Sequence, residues 1–139
     1  MEITANALQT VNANQNVLFT DTPVSGNCSF VHRDGSGLVV LRGITNQCRA
    51  RYKVSFGANI AIPTGGTAGE ISLAIALDGE AIGPTTMIAT PTVVESFWNV
   101  HGEIFVDVPR GCCYTVTVQN ASGVAIEVQN ANLIIDRVA

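Results

Sequence analysis

A chain of 139 residues is the size of one domain, and with 47% hydrophobic residues it can build a core without metal or disulfide staples. Charged residues make up only 13%, well under the roughly 25% usual for soluble domains, and a net charge of −4 with no Lys/Arg cluster argues against a binder of nucleic-acid phosphates. No apolar run approaches the roughly 20 residues of a membrane-spanning helix, and Met1-Glu2-Ile3-Thr4 lacks the basic and apolar regions of a signal peptide, so synthesis in a cytoplasm without membrane insertion is expected.

Residues 1–16, poor in charge and rich in Asn, Gln, Thr and Ala, are expected to form an arm or a first short strand ahead of one domain spanning 17–139. Val17-Leu18-Phe19-Thr20 reads as a compact apolar strand stopped by Asp21-Thr22-Pro23, since proline removes a ladder donor. Cys28–His32 and Leu38–Leu41 read as antiparallel partners around the turn Arg33–Gly37. The alternation is strongest between Arg51 and Leu77. There Tyr52, Val54, Phe56, Ala58, Ile60 and Ile62 share one face, Pro63 ends the segment, and Ile71, Leu73, Ile75 and Leu77 resume the pattern after the glycine-rich Thr64–Gly69. These two segments are expected to pair antiparallel, and Asp78-Gly79 to turn tightly into Glu80–Ile82.

Thr85–Ala89 forms another short strand between Gly83-Pro84 and Pro91. In the long segment that follows, Trp98, Val100, Gly102, Ile104, Val106 and Val108 alternate with Asn99, His101, Glu103, Phe105 and Asp107, and its length suggests a bend near Gly102. Tyr114–Val118, Val124–Val128 and Leu133–Ile135 read as the closing strands, the last apolar on both faces and therefore central or covered by a neighbour. No helical period is sustained beyond single turns. About nine or ten short strands with regular turn signals call for an all-β, two-sheet antiparallel sandwich, and the shortage of charge suggests that copies of the chain cover part of its surface.

Chemistry is sparse. His32 and His101 are the only histidines, and no serine or cysteine stands in a nucleophile-elbow context, so neither catalysis nor a cofactor is expected. His101 and Glu103, two apart on one strand face, have a spacing that two metal ligands could share, but one pair is weak evidence, and a hydrogen-bonded polar patch or interface contact is favoured. Trp98 and Tyr52 are candidate platforms for a glycan, weighed against a place in the core or a subunit interface. Cys28, Cys48, Cys112 and Cys113 read as reduced thiols; a Cys28–Cys48 bridge stays open, whereas Cys112 and Cys113 should point to opposite faces of a strand.

The pattern resembles the compact jelly-roll of tumour-necrosis-factor and complement-head type, including its bacterial and phage versions. The resemblance is carried by the Tyr52-Lys53-Val54-Ser55-Phe56 strand, the Ser72–Leu77 strand entering Asp78-Gly79, Gly111 ahead of Tyr114–Val118, and the closing Leu133–Ile135. It covers roughly residues 17–137, and the chain also resembles small proteins of phages and prophages of gut Firmicutes. The resemblance implies a homotrimer, and a non-enzymatic structural role on the virion surface as a head-decoration or head-fibre protein. It further implies capsid contact through residues 1–16, with a carbohydrate-binding adhesin or receptor-binding tip that contacts host-surface glycans as the alternative.

Overall fold

The computed structural model describes residues 1–139 and shows a jelly-roll sandwich: twelve strands in two antiparallel sheets, with one short 3-10 turn at Gly83–Thr85 and no α-helix. Sheet I contains β1 (Glu2–Ala5), β2 (Gln9–Val11), β3 (Asp21–Val24), β6 (Arg49–Ala61), β10 (Trp98–Pro109) and β12 (Ile126–Arg137), in the order β10-β6-β12-β1-β3 with β2 also on β12. Sheet II contains β4 (Phe30–His32), β5 (Leu38–Arg42), β7 (Ile71–Leu77), β8 (Glu80–Ala81), β9 (Met87–Ala89) and β11 (Cys113–Asn120), in the order β4-β5-β11-β7-β8 with β9 also on β7.

The period-2 faces read from the sequence fill the core. Tyr52, Val54, Phe56 and Ile60 of β6 are fully buried and meet Leu73 and Ile75 of β7 in the same apolar cluster. Phe19 stands edge-on to Phe56 with ring centroids 6.2 Å apart, and Phe30 edge-on to Tyr52 at 5.4 Å, the geometry that aromatic quadrupoles favour. Burying such side chains stabilises a fold by about 1.5–3 kcal/mol each, the main return against chain entropy.

Several expectations are corrected. β6 and β7 do not pair: the nine residues between them carry the chain from sheet I to sheet II, so their buried faces meet across the core. A pair of strands facing each other across a sandwich has the same alternation as a hairpin, and the nine-residue connection exceeds a tight turn. Val17–Thr20 is buried at Val17 and Phe19 but belongs to neither ladder. It crosses between layers, Val17 N–H donating to Val118 O in sheet II and Thr20 N–H to Thr4 O in sheet I. Asp21–Val24 continues as strand β3 rather than stopping, and β3 ends its sheet, where Pro23 can sit without costing an inner ladder bond. The two closing strands are one, β12, with a bulge between Gln129 and Asn132 where Asn130 takes a φ of 57°.

β10 runs without register shift from Trp98↔Ile60 to Pro109↔Arg49, so no bulge stands at Gly102. Its missing side chain instead leaves room for Met87, whose Cγ and Sδ would lie 3.1 Å from an added Cβ. Residues 1–16 hold β1 and β2, and β1 is paired on both sides, to β12 and β3, with Ile3 buried.

Candidate interaction face

The outside of sheet I is built by the residues that alternate with the core. On β10 these are His101, Glu103, Phe105 and Asp107; register sets Glu103 opposite Ser55, Phe105 opposite Lys53 and Asp107 opposite Arg51 on β6. The next strand over, β12, adds Ile134 beside Ser55 and Asp136 beside Lys53.

The charges on this face are matched within the subunit. Arg51 holds Asp107 with two bonds, Nε to Oδ1 at 2.8 Å and Nη2 to Oδ2 at 3.1 Å, and Arg49 approaches the same carboxylate at 3.5 Å. Lys53 Nζ lies 2.6 Å from Glu103 Oε1. The hydrogen bond and then the charge of Lys53 lower the Glu103 carboxyl, and Arg51 lowers Asp107 in the same way, so both stay ionised well into acid. Among these pairs Phe105 is 62% exposed, beside a small cleft lined by Lys53, Glu103 and Ile104, and Ile134 is 38% exposed.

Further along the face, side-chain amides form a row across four segments. Asn99 Nδ2 donates to Asn59 Oδ1 at 3.2 Å, Asn59 Nδ2 to Asn130 Oδ1 at 3.1 Å, and Asn130 Nδ2 to Asn6 Oδ1 at 2.7 Å. Beyond it lies a pair of carboxyls. Glu95 Oε1 accepts from Thr64 N at 3.0 Å and Thr64 Oγ1 at 2.6 Å, the bonds that lower its carboxyl, whereas burial and the neighbouring Glu95 raise that of Glu127.

The four residues singled out in the sequence fall in three places. His101 and Glu103 are neighbours on the outer face, Glu103 committed to Lys53 and the His101 ring lying across Gly57, whose added Cβ would meet His101 Cδ2 at 3.8 Å. Trp98 opens the same strand and is 47% exposed, with Phe97 39% exposed beside it. Tyr52 is removed from the candidates: it is fully buried, its hydroxyl donating to Arg42 O at 2.6 Å. His32 lies on β4 in the other sheet with its side chain wholly covered, so the two imidazoles do not meet. No group of three or more His, Cys, Asp or Glu side chains is arranged to hold a metal ion. The residue that sequence reasoning passed over is Phe105; its signal was an aromatic in the polar row of an alternating strand.

No protein-family model and no curated protein matches the chain. Among solved structures it is similar to the globular domain of zebrafish complement 1qA protein, at a TM-score of 0.63 and 14% identity over 96% of this chain and 93% of that one. Weaker likenesses are the C-terminal domain of the sugar-binding protein EclA (TM-score 0.43, 14% identity, 95% of this chain and 79% of that one) and the CBM35 from Cellvibrio japonicus Abf62 (TM-score 0.43, 10% identity, 100% and 98%). The first supports the complement-head type of jelly-roll as the fold.

Proposed function

We propose that this protein is a non-enzymatic jelly-roll subunit that assembles with copies of itself, as a homotrimer, through the outside of sheet I. The observation that carries the reading is Phe105, 62% exposed on β10 among charges that already neutralise one another. An aromatic anchor of this kind gains by burial, and matched ion pairs spare a partner the cost of covering lone charges. The threefold count and display on a phage particle, as head decoration or head fibre, come from the family resemblance and belong to the same proposal. Contact with a capsid through residues 1–16, which hold β1 and β2, belongs to the same proposal.

Sedimentation equilibrium tests the assembly. The expected species has three times the 14.6 kDa of one chain, Phe105→Lys yields the single chain, and Leu38→Lys on the opposite sheet leaves the assembly intact. A wild-type monomer at micromolar concentration overturns the proposal.

A second reading, glycan binding, has its own observation: Trp98 and Phe97 are both exposed at the start of β10, aromatic side chains on which a sugar ring can stack. Glycan-array binding lost in Trp98→Ala but retained in Phe105→Lys would favour it.

A further inference from the structure

All four cysteines are free, exposed and gathered at one end of the sandwich. The segments that carry them are clamped around Arg42-Gly43. Arg42 Nη1 donates to Cys28 O at 3.1 Å, Gly43 N–H to Cys112 O at 2.8 Å, Gly111 N–H to Gly43 O at 3.0 Å, and Arg110 N–H to Cys48 O at 3.0 Å. Cys113 lies opposite Arg42 in the β11–β5 ladder, so the two side chains share one face of sheet II, where directly opposed Cβ atoms are about 4.5–5.5 Å apart. At this point the sheet surface hollows into a pocket of about 430 Å³ lined by Val31, Val40, Arg42, Ile44, Cys112 and Cys113 among others.

The combination is specific in kind. An apolar wall, one guanidinium with donors to spare beyond its bond to Cys28, and an exposed free thiol in one hollow suit a small molecule that carries a carboxylate and a bond that thiols cleave. We propose that this pocket is a covalent modification site, where Cys113 exchanges with a small carboxylate-bearing disulfide and keeps one half of it as a mixed disulfide. The Cys113 thiol loses its proton to solvent and its sulfur attacks one sulfur of the incoming molecule. That S–S bond breaks, and the leaving half departs as a thiolate that takes up a proton. Cys113 is oxidised and the departing half reduced, with no other oxidant required.

Arg42 holds the carboxylate of the retained half while Val31, Val40 and Ile44 cover its carbon chain. Cys112, its neighbour in sequence, is poorly placed to displace the adduct. Adjacent Cα atoms are about 3.8 Å apart across a trans peptide, whereas disulfides span about 4.4–6.8 Å. Cys112 therefore does not release the adduct by closing a bridge to Cys113.

Limiting oxidised glutathione added to the reduced protein, followed by intact mass and peptide mapping, tests the site. The expected result is one adduct per chain on Cys113 and none in Cys113→Ser. In Arg42→Ala, modification by oxidised glutathione slows about fivefold, the scale of one exposed ion pair, while the rate with uncharged 2-hydroxyethyl disulfide is unchanged. Labelling spread evenly over the four thiols, equal slowing with both reagents, or a mass loss of two hydrogens from an internal disulfide would overturn the assignment.

Discussion

Asn120 is fully buried, and its side chain is occupied entirely by local polar groups. Its Nδ2 donates to Val11 O at 3.0 Å and Val124 O at 2.8 Å, while its Oδ1 accepts from Ser122 N at 3.0 Å. One amide thereby joins the end of β11 to β2 and to the loop before β12. Nothing in the local sequence, Asn120-Ala121-Ser122-Gly123, marks Asn120 as buried. Asn120→Leu leaves these partners without their bonds, and the expected loss is roughly 2–3 kcal/mol, read as a lower urea midpoint at an unchanged m-value. Glu127 makes a second prediction at this scale. Its carboxyl is raised by burial and by Glu95, so the stability linked to its proton is full below the ordinary glutamate value and is lost as pH rises through the raised one. Glu95, lowered by Thr64, acts in the other window: its contribution is present above the ordinary value and is lost as pH falls through the lowered one. Glu127→Gln removes only the upper window. Its Tm should exceed that of wild type at pH 7 and meet it near about pH 4; a variant less stable than wild type at pH 7 would contradict this account.

Alternation made strands such as β6, β7, β10 and β11 legible one by one, since side-chain direction along a strand is a local property. Pairing was not legible. The face of β6 that contacts the core has the same sequence signature whether β7 lies beside it or across from it, and the longer chain between them, rather than the pattern, distinguished the two. The bulge in β12 was missed for a related reason: Asn130 at φ 57° lets one strand continue where the sequence shows a polar interruption between two apolar runs. Gly43, the hinge between β5 and β6, shows what such junctions require. A Cβ there would lie 2.1 Å from Pro109 O, a backbone atom that cannot rotate away. Gly43→Ala is expected to cost roughly 2–3 kcal/mol by overpacking. Gly69→Ala, where an added Cβ has nothing within 4 Å and φ is not positive, should stay within about 0.5 kcal/mol. Equal midpoints for the two variants in thermal or urea unfolding would refute the hinge argument.

The two-sheet sandwich followed from the number of strands and the turn spacing, and the jelly-roll type from the family resemblance, but neither located the scarcity of charge. The structure locates it: the outer face of sheet II carries Val31, Val40, Leu38 and Thr115, with Arg42 beside Cys113 as the one charge in the β4, β5 and β11 ladders, whereas sheet I carries Arg49, Arg51, Lys53, Glu103, Asp107 and Asp136. Both sheets thus have a claim on a partner, and they differ in kind. Sheet II presents aliphatic and small side chains with no aromatic anchor, while sheet I presents Phe105 within a neutralised charge pattern. That difference fixes how assembly through sheet I must respond to conditions. Because Arg51–Asp107 and Lys53–Glu103 are closed within one subunit, few unmatched charges attract across the interface, and screening has little to remove. The association constant should therefore change by less than about threefold between low salt and 0.5 M, where an interface made of cross-subunit ion pairs would weaken steeply. In the proposed assembly, burial of Phe105 couples association to folding, so Tm should rise with protein concentration in wild type and be independent of it in Phe105→Lys. A Tm insensitive to concentration in both proteins, or an association that collapses in salt, would place the contact elsewhere on the molecule.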